Sequence, residues 1–343
     1  MLTNESLNLI NSLTPHLKKK EYDLKGLFNY LDNHHYNYDK PSMIKKRGSY
    51  INNQYMSQDL LMKLKNFDKM YEIKWLIHSN YTVACTLKLF TKRYNQSNER
   101  INLLINALSF ILSFTNRDLN ITVNLVLLPD KKLFNKQFTR NEINSGMANM
   151  NTVNVYVWRI EECIKVLIHE CIHILGFSDL CDTDNIIQHL NQKYNLNCEK
   201  YKINETYTEI WAKILNCYYV SKIMHFLNKK YNHFQFFYYL VLIEYSFSHV
   251  QTSKIIDFIK NKKNLDINKD TNVMAYYVLT FELLENLDDF LKTCFKNNDN
   301  LFYLNNNTKF INLLKTQPYP STLTIKSKKL LKTFRMTAIE LKI

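Results

Sequence analysis

Glycine and proline are scarce, with 4 and 5 copies in 343 residues. No Gly-rich phosphate loop, internal repeat or low-complexity linker is present, which removes the nucleotide-binding and solenoid classes that depend on them. Long apolar runs are also missing. The longest, residues 234–247, is broken by Gln235 and Glu244, and the N-terminal MLTNESLNLINSLTPHLKKK lacks the apolar core of a secretory signal, so no membrane span or leader is expected. The seven cysteines are an odd number without paired zinc-ribbon spacing, and Cys85, Cys163, Cys171 and Cys217 fall in apolar stretches. Reduced, mostly buried thiols follow, and with them an intracellular, cytoplasmic protein.

Acids are the minority, 31 Asp and Glu against 45 Lys and Arg, giving a formal charge of +14. Such a field attracts nucleic acid, an anionic membrane surface or an acidic substrate. The lysines are scattered, however, and no recognition motif accompanies them, so no specific nucleic-acid partner is expected. The wealth of Lys, Asn, Ile and Tyr reads as the imprint of A+T-rich codons. With 46% hydrophobic and 22% charged residues the composition is globular, and the length suits one large domain or two lobes, of which two are expected.

The spacing predicts three regions. Residues 1–75 mix short helical patterns with polar turns such as DNHHYNYDKPS and read as a mostly helical extension without a sheet. Residues 76–180 read as an α/β lobe: YTVACTLKLF (81–90) is a strand, SNERINLLINALSFILSF a helix capped by Ser97 or Asn98, and NITVNLVLLPD a strand ending in a turn. TVNVYVWR (152–159) is a half-buried strand, and IEECIKVLIHECIHIL is a long apolar helix ending at Gly176. Residues 181–343 read as a helical lobe, with helices near 204–228, 233–247, 251–261, 272–296 and 328–340.

The string His169-Glu170-Cys171-Ile172-His173 is an H-E-x-x-H inside that apolar helix. Residues four apart lie above one another on a helix face, so both imidazoles can reach one ion. Glu170, about 100° round the helix, can hold a water on that ion. Zinc brings the pKa of such a water toward neutrality, and the carboxylate can take its proton and pass it to a leaving amine. The motif is short enough to arise by chance as a pair of core histidines. Against that, unpaired imidazoles and a carboxylate among Val166, Leu167, Ile168, Ile172, Ile174 and Leu175 would be costly to bury, and a metal compensates them.

In these residues the chain resembles the zincin metallopeptidases, over about residues 80–215. The resemblance implies an α+β fold in which a zincin-like catalytic lobe, a mixed sheet plus the active-site helix, packs against the C-terminal helical lobe. It implies hydrolysis of peptide bonds in a peptide or protein substrate, one Zn2+, and Glu170 as the base acting on the zinc-bound water. A strand near Ser145-Gly146 or Thr152 to Trp158 would border the cleft and pair with extended substrate. Similar motifs occur in metallopeptidases of large DNA viruses with A+T-biased composition, so a viral origin, with the protein in host cytoplasm or virion, fits the resemblance.

A catalytic zinc takes three protein ligands, and two clans supply the third differently. Asn204-Glu205-Thr206-Tyr207-Thr208-Glu209 resembles the second helix of the gluzincins, which implies Glu205 as ligand and Glu209 supporting a ligand imidazole. Glu209 stands where an Asp is usual, and with Ala212 behind it Glu209 could be the ligand instead. The two acids could equally be solvated carboxylates on an amphipathic helix. The rival, His173-Ile174-Leu175-Gly176-Phe177-Ser178-Asp179, fits the metzincin spacing with Asp179 as third ligand. Asn272-Val273-Met274-Ala275-Tyr276 would mimic a Met-turn, although Met274 also reads as core.

Tyr276, Tyr277, His225, His233 and His249 are candidates for steadying an oxyanion, and no spacing selects among them. Cys171 reads as packed rather than nucleophilic, and KSKKLLK (326–332) as a solvated face. The competing functions are a catalytically inactive zincin-fold binding protein and a basic nucleic-acid-binding protein.

Overall fold

The computed structural model describes every residue except 18–19, 51–55, 57, 136–137, 261, 263 and 298–299. In chain order the elements are α1 (Asn4–Leu13), α2 (Lys25–Asp32), β1 (Asn37–Tyr38), β2 (Ser42–Arg47), α3 (Gln58–Leu64), β3 (Lys69–His78), β4 (Thr82–Thr91), α4 (Asn98–Leu112) and β5 (Leu119–Leu128). They continue with α5 (Arg140–Ile143), β6 (Gly146–Asn149), β7 (Asn154–Arg159), α6 (Cys163–Leu175), α7 (Asp184–Tyr194), α8 (Ile203–Leu227) and α9 (His233–Ile259). A π-helical turn (Met274–Leu279) then leads into α10 (Thr280–Glu285), α11 (Leu287–Asn297), α12 (Asn307–Thr316) and α13 (Lys328–Lys332). The class is α+β.

The chain divides into two compact units. One is built from Asp32–Lys131, Asn144–Leu175 and Leu341–Ile343. Its mixed sheet has the order β1-β3-β4-β5-β7-β6, with β2 also paired to β3. β4, β5 and β7 run parallel, while β3 and β6 are antiparallel to their neighbours. Alternation makes one face of the sheet apolar: Val83, Cys85, Leu87 and Leu89 of β4 are buried, as are Val155 and Val157 of β7. Helix α4 begins at Ser97, whose side chain accepts from the Arg100 amide, and it is tied to the sheet where Trp75 Nε1 donates to Ser109 Oγ at 3.0 Å. At one end of the sheet Met56, Leu60, Leu64, Met70, Phe90, Val126, Leu128 and Trp158 form a further apolar cluster.

Two expectations fail here. Residues 1–75 are not a helical extension without a sheet, because they supply β1, β2 and most of β3. In β3, Tyr71, Ile73, Trp75 and Ile77 point into the core, but Met70 is buried on the opposite face and blurs the alternation. The boundary near 180 also moves, since the sheet-bearing unit closes at Leu175 and takes back Leu341–Ile343.

The second unit comprises Met1–Leu31, Lys132–Ile143 and Gly176–Glu340 and is helical. α8 and α9 form a long hairpin against which the π-helical turn and α10 pack. Residues 233–259 make one helix rather than two. Ser246 and Ser253 bond back to the carbonyls of Leu242 and His249, and Thr252 donates to Tyr277 O, so these polar side chains do not interrupt it. Conversely, helix covers only Lys328–Lys332 of 328–340. The chain beyond is irregular and buried, with Thr337 Oγ1 donating to Glu244 Oε2 at 2.6 Å and Lys213 Nζ donating to Glu244 Oε1 at 2.6 Å. No helix among the described residues is long and apolar enough to cross a membrane.

Candidate metal centre

α6 grows out of the sheet. β7 ends at Arg159, the Ile160 amide donates to Leu128 O at 2.9 Å, and Glu162 turns the chain through the left-handed region (φ 61°) before Cys163 starts the helix. The helix ends where Gly176 takes φ 70°, which costs an L side chain far more than glycine. Between these points its apolar side chains are buried, which leaves His169, Glu170 and His173 no freedom to choose their direction.

The two rings converge. His169 Nε2 and His173 Nε2 are 3.3 Å apart, with ring centroids 5.0 Å apart and planes at 72°. Two nitrogens about 2.0–2.1 Å from one tetrahedral ion are separated by roughly 3.3 Å, so the spacing of the pair matches that of two zinc ligands. A simple N–H···N bond between neutral rings would also suit the distance, but it would leave unexplained why a carboxylate shares this helix turn. His169 and Glu170 are nearly covered, at 6% and 8% exposure. Glu170 lies against the first residue of β6: a Cβ built on Gly146 would meet Glu170 Oε1 and Val166 Cγ1, each at 2.7 Å, and Glu170 Cγ at 2.8 Å. Only glycine lets this strand approach the acid so closely.

No known protein family, curated protein or solved structure matches this chain.

Cys171 faces the other way. It is fully buried, and burial, reinforced by the neighbouring Glu170, pushes its thiol far above the ordinary range, so it is no nucleophile.

In the helical unit, Glu205 occupies the first turn of α8 and is half-buried. The start of that helix is set by a residue the sequence did not single out. The Asp182 carboxylate accepts from the amides of Tyr201 (2.7 Å), Lys202 (2.8 Å) and Ile203 (2.9 Å), with Lys202 at φ 56°. An acid twenty residues before a helix carries no local capping pattern, so nothing in the sequence marked it. Glu209, one turn on, is fully buried with Oε1 4.0 Å from Lys213 Nζ, and Ala212 is buried behind it. Asp179 is exposed, beyond the end of α6.

The oxyanion candidates are explained in part by packing. His249 bonds Ser321 O at 2.9 Å and stacks on Phe281, while Tyr277 donates to Phe334 O at 2.7 Å and stacks on Phe334. His225 and His233 stack on each other, and His233 pairs with Ser221 Oγ at 3.0 Å. Tyr276 is half-buried beside Asn272, which donates to its hydroxyl at 3.3 Å. Met274 is wholly buried at the start of the π-helical turn, as core residues are.

Proposed function

We propose that this chain is a zinc-dependent metallopeptidase whose sheet-bearing unit is zincin-like. The observation that carries the reading is the 3.3 Å separation of the His169 and His173 Nε2 atoms beside a covered carboxylate on the same helix. His169 and His173 are the ligands on α6, and Glu205 is the third. Glu205 is favoured because Asn204-Glu205 at the start of α8 resembles the ligand-bearing second helix of the gluzincins. With Glu205 as ligand, the role of Glu209 is to support a ligand imidazole; the alternative third ligands are Glu209 itself and Asp179. Bound there, zinc supplies the Lewis acidity that makes water a nucleophile near neutral pH.

Glu170 is the general base. Its carboxylate takes a proton from the attacking water and delivers it to the amide nitrogen as the C–N bond breaks, so that the products are a carboxylate and an amine. β6 supports the positioning role: it ends the sheet, runs antiparallel to β7, and brings the Gly146 backbone against Glu170. A peptide added along its outer edge would be held by backbone hydrogen bonds, with the scissile bond near the base.

Replacing Glu170 by Gln tests the assignment. The variant is expected to keep its zinc and to lose peptide hydrolysis by several orders of magnitude; unchanged turnover would refute the role of Glu170.

A further inference from the structure

The α8–α9 hairpin ends in a surface that the metal centre does not use. Phe226 is 77% exposed and Leu227 59%, both in the last turn of α8, and Tyr231 in the connecting turn is 49% exposed. Lys222, Lys229 and Lys230 are exposed around them. Between Glu209 and Glu244 the chain has no Asp or Glu at all, so no carboxylate of the hairpin neutralises these cations. The tip is nonetheless well built. Asn228 closes α8 by donating to Met224 O at 2.9 Å, the Asn232 side chain caps α9 by accepting from the Phe234 amide at 2.8 Å, and the His225 and His233 rings stack 5.6 Å apart. Phe28 packs edge-on against His233 and Phe234 from α2.

Two large apolar side chains held outward at a turn, with a tyrosine beside them and cations around them, satisfy the two requirements of peripheral membrane attachment. Phe and Leu enter the acyl boundary and Tyr sits at headgroup level, while lysines reach anionic headgroups along their own stems. The protruding apolar tips and the positive charge around them together complement an anionic lipid surface. We propose that the hairpin tip, through Phe226, Leu227, Lys222, Lys229 and Lys230, docks the protein on an anionic lipid surface. Attachment is shallow and reversible, with no segment crossing the bilayer.

Flotation with vesicles of phosphatidylcholine, with and without phosphatidylserine, tests this on the full chain. Binding is expected only with phosphatidylserine and is expected to fall at high salt. Three lysines near an anionic surface account for an affinity factor on the order of 100-fold, so a K222Q/K229Q/K230Q variant should lose about that much. An F226S/L227S variant should lose vesicle binding at any salt while keeping its helical content, because both side chains already face water. Equal binding to neutral vesicles, no binding to either, or binding unaffected by the F226S/L227S change overturns the proposal. So does a wild-type dimer in sedimentation that the same variant dissociates, since the tip would then be a contact between copies of this chain.

Discussion

Gly146 and Glu170 are in such close register that a methyl group on the Gly146 Cα would stand 2.7 Å from Glu170 Oε1. The backbone of the strand thereby packs directly against the side chain of the proposed base. A Gly146→Ala change must push either β6 or the carboxylate by several tenths of an ångström. Because misplacement of a reacting group by about 1 Å costs roughly 100-fold, kcat/KM for a peptide substrate is expected to fall by 10-fold or more, with zinc retained. An alanine variant of full activity would show that the strand plays no part in positioning the base.

The third ligand separates by metal affinity. Glu205→Gln should weaken zinc binding more than Glu209→Gln, whose expected loss is the 10-fold to 100-fold typical of a group acting through a ligand's hydrogen bond. Asp179→Asn should leave affinity unchanged. Titration against a zinc-selective chelator reads all three. A larger loss at Glu209 or Asp179 would reassign the ligand.

Asp182 satisfies three amides at the entrance to α8 with one carboxylate. Its replacement by Ala should cost about 2 kcal/mol of stability in urea unfolding, at the upper end for loss of a helix cap. A cost near zero would mean that solvent replaces the carboxylate without penalty.

Lys254 provides a pH test. It is buried, donates to Leu330 O (2.9 Å) and Thr333 O (2.5 Å), and lies 5.0 Å over the Phe134 ring. Burial pulls its pKa down from 10.5 to about 7. Between these values the unfolded chain holds a proton that the folded chain has released, so stability should rise as pH increases from about 7 toward 10 and fall on the way back. Lys254→Met should flatten that slope in urea midpoints measured at neutral and alkaline pH. An unchanged slope would place its origin elsewhere.

The parts of the fold that were legible are those where local pattern and tertiary role coincide. β4 alternates, α6 is apolar apart from its motif and Lys165, and Gly176 marks its end. β3 was hidden because Met70 and Leu76 lie on the face shared with Glu72 and Lys74, so the ten residues mimic a mixed helical window. α12 buries only Phe310 and Leu314, and α7 only Ile186, Leu190 and Tyr194, too few apolar positions for a periodic signal among Asn and Lys. At the site, the spacing of His169 and His173 was local and could be read. The Asp182 cap and the glycine beneath Glu170 depend on residues about twenty apart in the chain, which no window of helical or strand period contains.

The metal content of the purified chain tests the central claim most directly. Elemental mass spectrometry is predicted to find one zinc per wild-type chain and none in a His169→Ala/His173→Ala variant that remains folded by circular dichroism. A wild-type chain that binds no zinc even when supplied with it, or a double variant that binds as much as the wild type, would contradict the account.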